Sequence, residues 1–568
     1  MNCIRCFLSV VTLVAFLYTD KHRRREVLKK VLLICTTVLL FVGVLWYFIT
    51  QWQRFDPNDK LLALHHNIIL NVTGLELVPS ATTTTEKKYA TDDQYTYVVK
   101  DGKEVGTFTI TVRTLDNDDQ FVFYHLTNTT DQPLEGTLQI GLPTKTYTFK
   151  PFKTPTQPEH DRVYGPDETS SLKGLLRADG KDVLFSQNFI SHRLVEKYED
   201  GTTSTLKDLV KEEREHTLKQ RQQHAVMEIP LQTPAKNDES EGWLLIGSKS
   251  LLEDDKEFTF FDNYMADYYI NAPKWLTADG AYTKLPWSIE PTTKLGYGRK
   301  LIGMQQKNIA LRYETNPERL YYDLLINATN YLLDYKTDTD IWPTEYTSTW
   351  LKNDYGIKAP YLDTRHNENI ALFLRMVGTF LDDKDLQESD QLYGNYLVAQ
   401  QTVGNVFETK NGYYILDYYA ESQTKKTHVS LNHAFGEMTF LFKLYEDTGK
   451  QAYLDTALQI KNAFEDTGLA WQNPNGDLWY QINGDGSFEG QDYDVLTLTD
   501  FINVLDYYKK LNIPYDRSIY DTLIRSKIQF LMAEEIVILR SVKEDLLRLG
   551  YTEIKDYTLT KEYEDDAS

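Results

Sequence analysis

Cysteine is almost missing from this chain. Three occur in 568 residues, Cys3, Cys6 and Cys35. With none after position 35, the bulk of the protein has no disulfide scaffold, no Cys₄ zinc site and no thiol nucleophile. Positive charge is also scarce: 61 Lys and Arg stand against 83 Asp and Glu, a net charge of −22. Nucleic-acid binding needs clustered cations against phosphates, and no basic stripe follows residue 50, so no nucleic-acid partner is expected. No metal site is expected either. His428 and His433 are five residues apart, which matches no usual helical ligand pair, so hydrogen-bonded histidines are the simpler reading. No cofactor motif is found.

Long apolar runs are confined to the N-terminus. Val31–Ile49 is 19 uncharged residues, enough to cross a bilayer, and Phe7–Tyr18 is a shorter second run, so one or two transmembrane helices are expected. The basic run Lys21–Arg25, with Lys29 and Lys30, precedes the longer span and predicts a cytoplasmic flank. No small-residue cleavage pattern follows Ile49, which favours a retained anchor over a signal peptide. The expected location is the cell membrane, with residues beyond 50 extracytoplasmic and the membrane itself a partner through the N-terminal helix.

What is abundant is pattern. Residues 1–50 read as the anchor and 51–90 as a linker, with the polar run Thr82–Lys88 in it. From Tyr95, period-two runs such as TFTITVRT and FVFYHLT, with a turn at Asp101-Gly102, predict an antiparallel β-sandwich-like domain over 91–256. Within it Leu206–Gln223 is charged on most faces and reads as a solvated helix or arm. Helical periodicity dominates from 257 to 535, and 536–568 reads as a C-terminal helix and acidic tail.

The helical part repeats. Asn405–Glu421 (NVFETKNGYYILDYYAE) and Ala470–Asp485 (AWQNPNGDLWYQINGD) each place an Asn-Gly pair between aromatic strand-like runs, 64 residues apart from Asn411 to Asn475. Asn-Gly is a strong hairpin signal. Amphipathic helix pairs follow each hairpin, Val429–Tyr445 with Gln451–Phe464 and another opening near Leu496, while earlier stripes run through Leu320–Leu332 and Ile370–Leu381. Such helix pairs predict an (α/α) toroid with its connections around a cleft, the alternative being an open array. The expected fold class is thus β + α multidomain: N-terminal membrane anchor, sandwich-like domain, then toroid. Ser430 reads as a helix N-cap. Trp350, Trp471 and Trp479 read equally as core residues or as sugar-stacking aromatics.

Thr427–Tyr445 (THVSLNHAFGEMTFLFKLY), continuing through EDTGKQAYLDTALQIKNAF, resembles the C-terminal domain of D-glucuronyl C5-epimerases, over about Ala359–Leu511. The resemblance implies a polysaccharide or cell-surface glycan as partner and inversion at C5 of a uronic acid, a proton leaving one face and another arriving on the opposite face. It implies tyrosines of lowered pKa as acid and base, here Tyr414, Tyr480 and Tyr493. Arg365, His366, His428, Asn432, His433, Glu437 and Trp479 are the implied substrate contacts. Tyr493 lies in GQDYDVLT, where Asp494 replaces a histidine of the family's segment. Two rival readings stand beside this one. A toroid glycoside hydrolase would draw two carboxylates from Glu437, Asp363, Asp492 and Asp494, and a non-catalytic glycan-binding or envelope scaffold protein would need none.

Overall fold

A computed structural model describes residues 55–57, 60–153, 163–267, 271–337 and 341–561. The chain divides into two compact units. The smaller comprises Met1–Glu76, Gly136–Lys145 and Thr217–Glu228. Its described part carries a five-stranded sheet, with Ile69–Thr73 pairing antiparallel to Leu134–Pro143 and Thr217–Arg221 to His224–Thr233.

The larger unit holds a 13-stranded antiparallel sheet. Its long strands are Thr203–Glu213, Asn188–Lys197, Asp238–Ile246, Gln120–Asn128, Lys103–Leu115, Ala90–Asp101 and Glu76–Lys87, in that spatial order. Gly102 takes the positive φ expected of the Asp101-Gly102 turn. The polar run Thr82–Lys88 is not loop. Its threonines are β-branched and favour extended backbone, and they form the edge strand Glu76–Lys87. The expected helix at Leu206–Gln223 is also strand, Thr203–Glu213 and Thr217–Arg221. Its charges are satisfied across the sheet, where buried Lys207 meets Glu239 and Glu241. Asn71, Asn128 and Asn327, each followed two residues later by threonine, are all buried.

Helices cover this sheet. They are α1 (Asp255–Asp267), α2 (Leu301–Met304), α3 (Lys307–Thr315), α4 (Arg319–Tyr335), α5 (Thr349–Tyr355), α6 (Thr364–Phe380), α7 (Lys384–Gln387), α8 (Asp390–Ala399), α9 (Leu431–Thr448), α10 (Gln451–Thr467), α11 (Leu496–Leu511), α12 (Arg517–Ala533) and α13 (Arg540–Leu549). One core joins the two layers: Phe121, Phe123, Trp243 and Leu245 from the sheet pack with Phe261 of α1, Leu324 of α4 and Phe373 of α6. A second core is built mainly by helices, with Phe435, Phe464, Phe501 and Tyr520, and takes in short-strand residues such as Tyr414, Ile415 and Ile482. The inner row α4, α6, α9, α11 packs each helix on the next, with α8, α10 and α12 outside. α9 forms because Leu431, Ala434, Phe435, Met438, Leu441 and Phe442 share one buried stripe, and Gly449 ends it in the left-handed region.

The expected fold class is corrected. No helix among the described residues is long and apolar enough to cross a membrane, and Phe7–Tyr18 and Val31–Ile49 lie outside the described residues. The large sheet is covered by helices where a sandwich would place a second sheet. The repeat takes a modified form as well. Val406–Glu408 pairs with Tyr413–Ile415 across Asn411-Gly412, but neither turn residue has positive φ. Gly412 is needed for close approach, since a Cβ there would lie 2.2 Å from the Gln459 carbonyl of α10. At Asn475-Gly476 only the Gln472–Leu478 bridge closes, and the true hairpin is Trp479–Ile482 with Phe488–Gln491. Each turn still rests on the second helix of the pair after it, Gly412 on α10 and Gly476, through its carbonyl and Ser526, on α12.

Arg113 ties sheet to helix. Fully buried, it forks onto Asp92 at 2.8 and 2.7 Å and donates to Asn327 of α4 at 2.7 Å and to the Ala278 carbonyl at 3.1 Å. Arg113→Ala leaves Asp92 buried and unpaired, and is expected to cost on the order of 3–5 kcal/mol. The double variant Arg113→Met/Asp92→Leu should recover most of that loss. Equilibrium unfolding in urea checks both, and equal losses in the single and double variants would refute the role.

Candidate functional site

Asp417 is the centre of the site. It follows the buried run Tyr413–Leu416 and is held by backbone on both sides. The Thr364 N–H donates to its carbonyl at 3.0 Å, and its own N–H donates to the His428 carbonyl at 3.2 Å. Its carboxylate accepts from the Ser430 N–H at 2.9 Å and the Ser430 hydroxyl at 2.5 Å. Ser430 therefore occupies the N-cap position of α9 while its hydroxyl serves Asp417 and not the helix.

Two imidazoles share this carboxylate. His428 Nε2 is 3.3 Å and His433 Nδ1 3.7 Å from Asp417 Oδ2. The outer contacts fix both rings: His433 Nδ1 meets the Thr364 hydroxyl at 2.8 Å and His428 Nδ1 the Tyr355 hydroxyl at 3.1 Å. Burial opposes a charge on Asp417, yet His433, His428 and Ser430 together hold its pKa below the usual carboxylate range. Around His428 stand Trp350 at 5.8 Å, Tyr355 at 5.8 Å, Tyr418 at 5.7 Å and Tyr480 at 6.1 Å between ring centroids, and Tyr493 meets Tyr480 edge-on at 5.7 Å. Trp350 is 41% exposed and Tyr493 49%, so this aromatic wall reaches solvent.

A second carboxylate set lies beside it. Asp363 caps α6 by accepting from the His366 N–H at 2.9 Å, and His366 Nδ1 lies 3.4 Å from its other oxygen. Burial lowers the His366 pKa. Glu437 is fully buried on α9, and neither carboxyl oxygen makes a hydrogen bond of normal geometry. Burial, then the Asp417 charge, push its pKa well above the ordinary range, with the Thr364 side chain pulling the other way. Arg365 is spent on acids, with NH1 bonding Glu368 at 3.0 and 3.1 Å and NH2 lying 3.4 Å from Asp500. Against Arg365, burial still lifts Asp500 to about 7.

Of the residues chosen from sequence, His366, His428, Asn432, His433, Glu437, Tyr480 and Tyr493 fall on or beside this group. Tyr414 does not: it is buried in the helical core, bonded to Thr467 at 2.8 Å and Trp471 at 3.2 Å. Trp479 and Tyr480 are consecutive on a strand, so Trp479 points to the opposite face and packs on the helical core. The expected lowering of tyrosine pKa is reversed. Burial raises Tyr414, Tyr480 and Tyr493, and neighbouring Asp417 adds to the effect at Tyr480. Arg365, expected as a positive group near the rim, is paired with Glu368 and Asp500. Asp492 is tied to buried Lys527, which also holds Asp477 and the Tyr493 carbonyl, and so positions Tyr493. Asp494 is exposed. Sequence reasoning missed Asp417, Tyr355, Tyr418 and Glu368. Asp417 sat inside the repeated phrase, in ILDYY, and a lone acid between aromatic strands was the available signal.

No family model matches the chain, and no curated protein matches it. Among solved structures it is similar to a glycoside hydrolase family 76 mannosidase from Bacteroides thetaiotaomicron VPI-5482, at 14% identity over 49% of this chain and 71% of that one, TM-score 0.34. It is also similar to cellobiose 2-epimerases. For that of Spirochaeta thermophila DSM 6192 the figures are 11% identity, 44% and 59% coverage and TM-score 0.30. For that of Bacillus thermoamylovorans they are 10%, 48%, 68% and 0.35. Likenesses this distant carry no argument about activity, and they do not show D-glucuronyl C5-epimerase.

Elsewhere, on the main sheet, a cavity of about 320 Å³ is lined in part by His125, Lys207, Glu239, Glu241 and Arg299. His125, Glu239 and Glu241 bring metal-ligating atoms within 4.8 Å of one another. Lys207 bonds both carboxylates, and Arg299 pairs with Glu345 and Asp279.

Gly436 makes the acid–base helix pair fit. A Cβ there would lie 1.8 Å from Arg365 NH1 and 2.6 Å from Glu368 Oε2. Glycine to alanine in a helix normally gains about 1 kcal/mol. Here the guanidinium is wedged between Glu368 and Asp500, and overpacking of that kind costs about 1–3 kcal/mol. Gly436→Ala is therefore expected to lower the melting temperature. A raised one would show that Arg365 is free to move.

Proposed function

We propose that this chain is a carbohydrate-active enzyme that moves a proton at a sugar carbon, with His433, oriented by Asp417 and Thr364, as the base. The observation that carries the reading is the sharing of one buried, ionised carboxylate by two imidazoles behind an aromatic wall that reaches solvent. Imidazole exchanges protons near neutral pH, and a carboxylate on one ring nitrogen stabilises the imidazolium formed when the other takes a proton. Tyr480 and Tyr493, held as neutral phenols by burial, suit the donor role and not the base. Aromatic rings stack on the apolar faces of sugar rings, which supports a saccharide as the partner, as does the sequence resemblance over Ala359–Leu511. Epimerisation or isomerisation is the reaction class this arrangement serves.

One observation favours a second reading. Glu437, buried with its pKa raised, is a carboxylic acid fit to protonate a leaving group, and Asp363 supplies the second carboxyl group that glycoside hydrolysis needs.

The test is incubation of the full chain with a panel of neutral and uronic-acid saccharides in deuterated water, read by NMR. Wild type should incorporate deuterium at a sugar carbon, and His433→Gln should reduce the rate by about 10²–10⁴-fold. Tyr480→Phe, which keeps the ring packing, should also slow exchange. Exchange unchanged in His433→Gln would overturn the base. Cleavage without exchange, abolished in Glu437→Gln, would establish the hydrolase reading in its place.

A further inference from the structure

The sheet face that the helices cover does not stay apolar to its end. Phe121 and Phe123 lie in the core beneath the helices, and so do Trp243 and Leu245. Residues two apart on a strand share a face, so His125 continues the first row, and Glu241 and then Glu239 continue the second. His125 and Glu241 are direct cross-strand partners. The rows thus pass from the core into the cavity of about 320 Å³, which all three of these side chains line. A second cavity, of about 550 Å³, shares Gln94, Thr111, Asp279, Arg299 and Glu345 with the first, and the two form one groove along the sheet.

Glu239 and Glu241 are 8% and 3% exposed, and Lys207 is the ammonium group bonded to them among the described residues. Lys207 is pinned by rings, with Nζ 4.4 Å from the Tyr282 ring centre and 5.8 Å from that of Trp275. It bonds Glu241 Oε1, the oxygen that also accepts from Trp275 Nε1 at 2.9 Å. Glu241 Oε2 instead lies 3.9 Å from His125 Nε2, and Glu239 Oε2 lies 3.5 Å from the same nitrogen. That nitrogen is buried and makes no hydrogen bond of normal geometry. Nor does Glu239 Oε2, although Lys207 pairs with it at 2.8 Å. Two buried carboxylates against one ammonium leave a negative charge unmatched, and an orphaned imidazole nitrogen sits beside it.

The spacing is that of ligands around an ion. Donor atoms held about 2.1 Å from one metal at tetrahedral angles stand about 3.4 Å apart. One donor atom from each of the three residues lies within 4.8 Å of the others, and the two His125 separations need to close by no more than a few tenths of an ångström. An imidazole with two carboxylates suits first-row transition metals and zinc, whereas calcium and magnesium favour oxygen alone. We propose that His125, Glu239 and Glu241 bind one divalent first-row metal ion, with its remaining positions open to the groove. Three protein ligands with open positions is the arrangement of a catalytic metal and not of a structural one. Water, or an oxygen donor entering the groove, completes the shell. The site shares no residue with the Asp417 group and does not rest on the function proposed for that group.

The test is titration of the full chain, stripped with a chelator and dialysed, with Zn²⁺ and with Co²⁺, read by calorimetry and by visible absorption. Wild type should bind one equivalent with micromolar or tighter affinity, show cobalt d–d bands, and melt at a higher temperature with metal than without. His125 is half-buried, so His125→Ala should leave the metal-free melt unchanged. It should weaken binding by at least the roughly 10–100-fold that loss of even an outer-shell partner costs, and it should lose the cobalt bands. Glu241→Gln should weaken binding as well, while Lys207→Met, which removes a competing cation, should tighten it. His433→Gln should leave binding unchanged, which separates this site from the imidazoles around Asp417. No binding by wild type, equal binding in His125→Ala and Glu241→Gln, or binding abolished by His433→Gln would each overturn the site.

Discussion

The geometry of this protein depends on one buried guanidinium. Arg113 sits on the large sheet in the strand third from its Glu76–Lys87 edge, pairs across strands with Asp92, and reaches out of the sheet to Asn327 on α4. A buried arginine is tolerable only when its fork is satisfied, so the sheet and the first inner helix are held in one relation. α6 then packs on α4, and the cap of α6 is Asp363. The position of the first acid of the site is thus set by a contact made on the sheet.

The chemistry turns on how buried acids are balanced. Asp417 stays ionised because two imidazoles and a hydroxyl converge on it, while Glu437, one stretch of helix away, meets no comparable donors and is pushed toward its neutral form. Two carboxyl groups in one neighbourhood thereby take opposite protonation states, which is the arrangement acid–base chemistry needs. Arg365, beside them, is paired with Glu368 and Asp500.

Much of the helical half was legible in the sequence. The stripes of α4 and α6 and the helix pair α9 and α10 are local patterns, and a local pattern survives into the fold. His428, His433 and Glu437 were found because they flank or ride the best of those helices. The sheet was legible where alternation was clean, and was misread at Leu206–Gln223, where charge outweighed alternation. That reading treated charge as a sign of solvent, but Lys207 is buried between two glutamates contributed by a strand more than thirty residues later.

The sequence by itself determined the absence of thiol chemistry beyond Cys35, the succession of strand-rich and helix-rich regions, and the repeat with its helix stripes, because each follows from composition or short-range periodicity. Tertiary structure alone decided which residues share a site and in what protonation state. Asp417 meets His428 and His433 only through a strand pairing. Tyr414 and Tyr480 look equivalent along the chain, yet one enters the core and the other the aromatic wall. The tyrosine pKa values rise because burial removes water and, at Tyr480, because Asp417 lies close. Burial and long-range charge are properties of three-dimensional neighbours, and no window of sequence contains them.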